Sequence, residues 1–288
     1  MELSHKTLSN KEKTTALQRS IETGNTLALN LLHPTRYKQH NPSLGDGIEA
    51  IAAIHDLLPR DKVYAHVVRA FEDSDYSFVH VDYHLFAPMV AFDIHRYEDG
   101  IAVEHWDNLQ ETPLGRNKSG HTMTDGKTQT TDHEKTTENK ALVKLFIQEM
   151  LIGQNWENSA AYFDGDNLVQ HNPHTGDGVA EYRAVRDQWE AAGTPARYDT
   201  LHKVLGEGNF VLTLSEGQFG GRHSAFYDLF RVSNGKIAEH WDVIEEIPAE
   251  EKRQRQVLNK PINGLQQGTP KLPAPQRLVS VLPAIPAP

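Results

Sequence analysis

The sequence predicts an α+β fold, built twice in tandem along one chain of 288 residues. Three observations lead there. A set of polar signatures recurs in the same order. Within each copy the apolar period changes from helical to strand-like. Gly-containing turns then join the strand-like runs as hairpins.

The repeat is read directly from the residues. Gln39-His40-Asn41-Pro42, followed by Gly45-Asp46-Gly47, returns as Gln170-His171-Asn172-Pro173 and Gly176-Asp177-Gly178, 131 residues on. Phe92-Asp93-Ile94-His95-Arg96 matches Tyr227-Asp228-Leu229-Phe230-Arg231, and Glu104-His105-Trp106-Asp107 matches Glu239-His240-Trp241-Asp242, at an offset of 135. The drift in offset places a short loop insertion in the second copy. Such a period marks a whole domain rather than a solenoid unit. The expected division is a first domain over 1–114, a polar linker over 115–138, a second domain over 139–250 and a Pro-rich tail over 251–288. The linker has hardly an apolar residue and reads as exposed, with little to bury. The tail cannot be a regular helix or a central strand; it reads as a free arm or as one that docks on a neighbouring subunit.

Each copy is expected to open with a helix. In the second, Leu142, Leu145, Phe146 and Met150 fall at helical spacing before Gly153; in the first, the region from Lys11 to Leu32 is less regular. Asp46 and Asp177 stand where N-caps should precede the helical runs at Ile48 and Val179. Strands follow. Tyr76 to Phe86 alternates, with Val79, Val81, Tyr83 and Leu85 on one side and His80, Asp82 and His84 on the other. Ala91–Tyr97 and Ile101–Leu109 continue across Glu98-Asp99-Gly100. The second copy repeats the pattern with Phe210–Leu214, Ala225–Val232 and Ile237–Ile244, the last two joined by Ser233-Asn234-Gly235. Helices followed by an antiparallel meander imply helices packed on one face of a curved sheet.

Bulk properties narrow the function. A net charge of −10 with no basic patch argues against a nucleic-acid partner. The absence of cysteine excludes disulfides, thiolate chemistry and Cys-based zinc sites. No apolar run is long enough for a membrane span, and the opening residues lack a signal-peptide core, so a cytoplasmic location is expected.

The order helix, QHNP-x-x-GDG, helix, strands, Gly turn and EHWD resembles the SnoaL-like branch of the nuclear transport factor 2-like superfamily. The resemblance covers roughly residues 10–112 and 140–248, and is closer for the second copy. It implies two tandem cone-shaped domains, each a curved antiparallel sheet enclosing a pocket with its helices. It further implies polyketide cyclase-like aldol chemistry, no metal and no organic cofactor, and an acid/base Asp at Asp107 and Asp242. His80 is similar to a pocket histidine of that family. Pairing of the two domains as an intramolecular pseudo-dimer is the expected assembly, with a further homodimer compatible.

The residues themselves suggest acid/base work. His105 and Asp107 are two apart on a strand and share a face, as do His240 and Asp242. Asp93 and Asp228 lie across the hairpin, within reach if the register cooperates. Paired carboxylates in a partly apolar cavity push each other's pKa values apart. The catalytic candidates are thus Asp107, His105, Asp93, His80, Asp242, His240 and Asp228. Candidates for binding a small-molecule ligand are His40, Asn41, His171, Asn172, Arg96 and Arg231. Each has a plainer reading: EHWD as a structural strand end, HNP as a turn lock, and the arginines as partners of carboxylates. The first copy, with His80, Asp82, His84 and His95 where the second has Leu214, Glu216, Gln218 and Phe230, is the more polar and the better catalytic candidate. A cofactor-free cyclase, lyase or isomerase, a non-catalytic binding or dimerisation module, and a cofactor-free hydrolase all remain open at this point.

Overall fold

The computed structural model describes residues 8–41, 44–58 and 61–249; the Pro-rich tail read from the sequence lies outside the described residues. The chain forms two five-stranded sheets, each with its own helices, in the same topology. In the first unit α1 (Asn10–Thr23), β1 (Lys38–Gln39) and α2 (Ile48–Leu57) precede β2 (Tyr64–Asp73), β3 (Tyr76–His84), β4 (Pro88–Glu98) and β5 (Ile101–Glu111). The second unit has α3 (Thr136–Phe146), α4 (Ser159–Tyr162), β6 (Val169–Gln170) and α5 (Val179–Ala191). It then adds β7 (Ala196–Glu207), β8 (Phe210–Phe219), β9 (Arg222–Ser233) and β10 (Lys236–Glu246). The strand orders are β1-β5-β4-β3-β2 and β6-β10-β9-β8-β7.

Two features depart from the sequence expectation. The sheets are mixed, because the two-residue strands β1 and β6 run parallel to β5 and β10. β2 and β7 carry no clean alternation because bulges reset their phase, at Val67/Arg69 in β2 and at Tyr198/Thr200 and Leu201/Lys203 in β7. Helix ends behave as their residues dictate. Ser9 and Glu12 form a capping box on α1, and Gly24 closes it in the left-handed conformation. Asp46 and Asp177 are not the N-caps expected of them. Gly47 and Gly178 occupy those positions, while each Asp accepts from a backbone N–H of the QHNP strand: Asp46 from Gln39 and Asp177 from Gln170. Along α3 and the π-helical turn that continues it (Ile147–Ile152) the buried stripe is Val143, Phe146, Ile147 and Met150, and Leu145 faces out.

Both faces of each sheet are covered. The inner faces meet their own helices. The outer faces share one apolar cluster, in which Phe71, Phe78, Phe92 and Ile94 of the first unit pack with Phe210, Leu212, Leu229 and Trp241 of the second. Hydrogen bonds cross reciprocally: Leu109 N donates to Glu245 Oε2 at 2.8 Å, and Ile244 N to Gln110 Oε1 at 3.0 Å. Asn108 Nδ2 adds a bond to Val243 O at 2.7 Å.

Most of the 115–138 segment is exposed as expected, but Asn117 and Met123 are buried and part of the segment is bound. Residues 122–127 arch over this junction, and the buried Arg69 donates to the carbonyls of Thr124, Asp125 and Lys127 at 3.1, 2.6 and 2.7 Å. Trp241 Nε1 donates to Asp125 O at 2.9 Å, and Met123 inserts into the shared cluster. Polar composition did not leave this stretch free, because the arch is held through its backbone carbonyls, which every residue type carries. Burial lowers the Arg69 guanidinium to a pKa of about 10, with Glu239 and Asp125 opposing the drop. No helix among the described residues is long and apolar enough to cross a membrane.

Candidate functional site

The register of the β4–β5 hairpin assembles the first site. Asp93 stands opposite Asp107, and His95 opposite His105. By strand parity all four face inward, while Ile94 and Trp106 face the other unit. β1 then lays Gln39 against His105. Its side-chain Oε1 accepts from Asn41 N at 3.0 Å, which fixes the amide orientation, and from His105 Nδ1 at 2.9 Å. His105 Nε2 lies 3.2 Å from Asp93 Oδ1. Asn41 Nδ2 donates to Asp107 Oδ2 at 2.8 Å. Tyr83 OH lies 3.1 Å from Asp93 Oδ2 and in contact with Gln18. The other carboxylate oxygen of Asp107, Oδ1, is buried and accepts no hydrogen bond.

These groups line one end of a cavity of about 240 Å³. The rest of its wall is mostly apolar, with Leu17, Leu29, Ile51, Ile54 and Leu109 among the contributors, and Tyr37 stands among its polar groups. Burial raises the Asp107 carboxyl to a pKa of about 6; the neighbouring Asp93 adds to the rise, and His105 and Asn41 oppose it. For His105 burial works against the charged form, but the bond to Asp93 and the two carboxylates outweigh it and raise its pKa. Burial holds His95 well below the usual histidine range, with His105 adding to the effect. Tyr37 and Tyr83 are pushed well above the usual phenol value, by burial first and then by the nearby carboxylates, so both stay protonated.

The second unit repeats the Gln–His–Asp and Asn–Asp bonds, but its tyrosine comes from β7 rather than from β3. His240 Nδ1 pairs with Gln170 Oε1 at 3.0 Å and His240 Nε2 with Asp228 Oδ1 at 2.9 Å. Asn172 Nδ2 donates to Asp242 Oδ2 at 2.7 Å, and Tyr198 OH to Asp228 Oδ1 at 3.0 Å. Asp242 too is raised to about 6, by burial first and then by Asp228. The space in front of it is different. Phe230 replaces His95 and stacks on His240 with ring centroids 4.6 Å apart. Phe146 meets Phe230 edge-on at 5.4 Å, and Tyr182 lies 5.7 Å from His240.

Several expected site residues lie elsewhere. His80 pairs with Phe92, not Asp93, so it faces away from the cavity, bonds Arg69 Nη1 at 3.0 Å and stacks on Phe92. His40 and His171 alternate away from Gln39 and Gln170. They stack on Trp106 and Trp241 at 4.6 and 4.5 Å and bond Glu104 and Glu239. Arg96 pairs with Glu104 and Glu98, and Arg231 with Glu239. All five thus lie on the outer faces, away from the cavity. The more polar side of β3 was taken for the pocket side; the side carrying Val79, Val81 and Tyr83 is the inward one, because the cavity is mainly apolar. Tyr83 was legible there as the one polar group in that stripe. Gln39 and Gln170 were legible as the first letter of QHNP. Tyr37 carries no sequence signal.

Residues 143–240 match the SnoaL-like domain family model. The second unit is a SnoaL-like domain. The first unit has the same strand order and the same Gln–His–Asp and Asn–Asp hydrogen bonds. Similar solved structures include TsrD from Streptomyces laurentii, 17% identical, covering 36% of this chain and 92% of that one at a TM-score of 0.30. A Kribbella flavida protein provisionally described as a ketosteroid isomerase is 17% identical, covering 49% of this chain and 94% of its own at 0.33. A protein from Acidithiobacillus ferrooxidans, provisionally described as a polyketide cyclase, is 14% identical, covering 41% and 96% at 0.31. At such identities and TM-scores none of these bears on the chemistry. No curated relative matches the chain.

Proposed function

We propose that the first unit is a cofactor-free acid/base enzyme acting on a small, mostly apolar carbonyl compound. One observation carries this reading: the unpartnered, buried Oδ1 of Asp107 at the wall of an apolar cavity. A carboxyl with a pKa near 6 is ionised enough near neutrality to accept a proton and basic enough to hold it. In the proposed step Asp107 Oδ1 takes a proton from the carbon next to the carbonyl. The C–H electron pair becomes the enolate, whose oxygen accepts a hydrogen bond from a neutral phenol, with Tyr37 the candidate lining the same cavity. Returning the proton to another carbon gives isomerisation; attack of the enolate carbon on a second carbonyl gives aldol closure, the chemistry the family resemblance implies. Asn41 and the Gln39–His105–Asp93 chain orient the base and hold its charge.

The second unit, where Phe230 and Tyr182 pack around His240, serves in this reading as the pairing partner. The division between the units is taken at the linker of 115–138, and the face-to-face contact of their sheets stands in for a dimer within one chain. The test is α-proton exchange into deuterated water, followed by NMR over a panel of small cyclic and acyclic ketones. Exchange that disappears in Asp107→Asn and persists in Asp242→Asn supports the assignment. Catalysis surviving in Asp107→Asn, or absent in the unaltered chain, would sink it.

A further inference from the structure

Outside the cavity, a dense polar group lies where the 122–127 arch crosses the outer face of β10. His171 is fully buried there, and its Nε2 lies 2.9 Å from Glu239 Oε1. A carboxylate only accepts, so Nε2 carries the proton. Nδ1 then faces two oxygens, Thr122 O at 2.9 Å and Asp125 Oδ1 at 2.8 Å. From the arch, His121 repeats the arrangement. Its Nε2 lies 3.3 Å from Asp177 Oδ2, and its Nδ1 is 3.9 Å from the same Asp125 Oδ1. That oxygen is buried and accepts no hydrogen bond, even though His171 Nδ1 is so close.

We infer that His121, Asp125 and His171 form a binding site for a divalent transition-metal ion of the zinc class, which staples the linker to the second unit. The three ligand atoms lie within 4.8 Å of one another. Two ligand atoms at about 2.0–2.2 Å from one zinc ion lie roughly 3–3.5 Å apart, and the observed separations of 2.8 and 3.9 Å bracket that range. Two imidazoles and a carboxylate are a borderline donor set suited to zinc. Each histidine also has its far nitrogen held by a carboxylate, the outer arrangement that fixes the tautomer of metal-binding histidines. A second proton on His171 would satisfy one nitrogen but leave the convergence of His121 on the same oxygen without a purpose. The arch is seated tightly on this group: at Gly126, where φ is +93°, a Cβ would come within 2.2 Å of Glu239 Oε1 and 2.8 Å of His171 Nε2. Asp177 thereby serves twice, bracing Gln170 N through Oδ1 and facing His121 through Oδ2.

The test is titration of the full chain, first dialysed against EDTA, with zinc chloride in competition with a chromophoric chelator. Cobalt(II) chloride reports ligation through its visible absorption. One ion should bind. His121→Ala and Asp125→Asn should remove it, and Asp177→Asn should weaken it by about ten- to a hundredfold. Two other groups of similar composition exist, Asp93–His105–Asp107 and Asp228–His240–Asp242, so Asp107→Asn and Asp242→Asn are measured alongside and should leave the ion in place. The half-exposed His121 can be replaced without disturbing the core, and circular dichroism checks that each variant folds. The proposal is overturned if no ion binds, if His121→Ala and Asp125→Asn bind as the unaltered chain does, or if only the Asp107 or Asp242 variant loses it. None of these outcomes touches the proton-exchange test of Asp107.

Discussion

The two units hold the same Gln, His, Asn and Asp side chains in the same hydrogen-bonded order, and differ in what lies in front of them. In the first, Asp107 lines a cavity; in the second, Phe230 stacks on His240, with Phe146 and Tyr182 packed around the pair. The network is therefore not evidence of catalysis by itself. It braces a strand pair against the QHNP segment in both units, and fills that role whether or not a substrate can reach it. The proposed function rests on the cavity and on the unpartnered Asp107 oxygen at its wall.

The sharpest way to break the comparison is to change both acids. Asp107→Asn should lower turnover by about 10²- to 10⁴-fold, while Asp242→Asn leaves it near that of the unaltered chain; steady-state kinetics on any ketone found active decides this. Equal losses would mean the units act together. The next contrast is volumetric. Phe230→Ala should cost about 3–5 kcal/mol in denaturant unfolding, because it hollows a filled core, whereas His95→Ala, beside an existing cavity, should cost a fraction of that. His95→Phe, which imitates the second unit, should abolish ligand binding while preserving the fold.

Acidity offers a third contrast. The folded carboxyls of Asp107 and Asp242 hold their protons more tightly than the ordinary value of 3.8, at about 6. Their contribution to stability is thus fully present below pH 3.8 and is lost as pH rises through about 6. The cost above that is up to about 3 kcal/mol for each acid. Asp242→Asn should accordingly raise the melting temperature at pH 8 and change it little at pH 3.5. Turnover should rise with pH through about 6, as Asp107 loses its proton. The smallest effect lies at the junction between units. Gln110→Ala removes the acceptor for Ile244 N and should cost about 1 kcal/mol. Glu245→Gln keeps an acceptor for Leu109 N and removes a buried carboxyl raised to about 7, so it should stabilise the chain at pH 8.

Much of the site was legible because it follows strand parity. The same-face placement of His105 with Asp107, and the reach of Asp93 across the hairpin, needed only a period of two and a short turn. The same arithmetic applied to QHNP would have sent His40 and His171 away from Gln39 and Gln170, onto the tryptophans. What parity cannot decide is which face of a strand covered on both sides meets the cavity, and His80 was misplaced for that reason. β2 and β7 were not legible because their bulges shift the phase midway. The docking of residues 122–127 carries no sequence signal because it runs through backbone carbonyls held by Arg69, 55–58 residues earlier in the chain.

By itself, then, the sequence determined the duplication, the hairpins and the facing of the paired carboxylates, since all of these follow from local spacing. Only the tertiary structure decided that Asp107 lines a cavity while aromatic rings crowd His240 of the second copy. That outcome depends on the summed volume of side chains delivered by helices and strands far apart in the chain. The same holds for the junction, where Arg69, Trp241 and His171 meet the arch only after both sheets have formed.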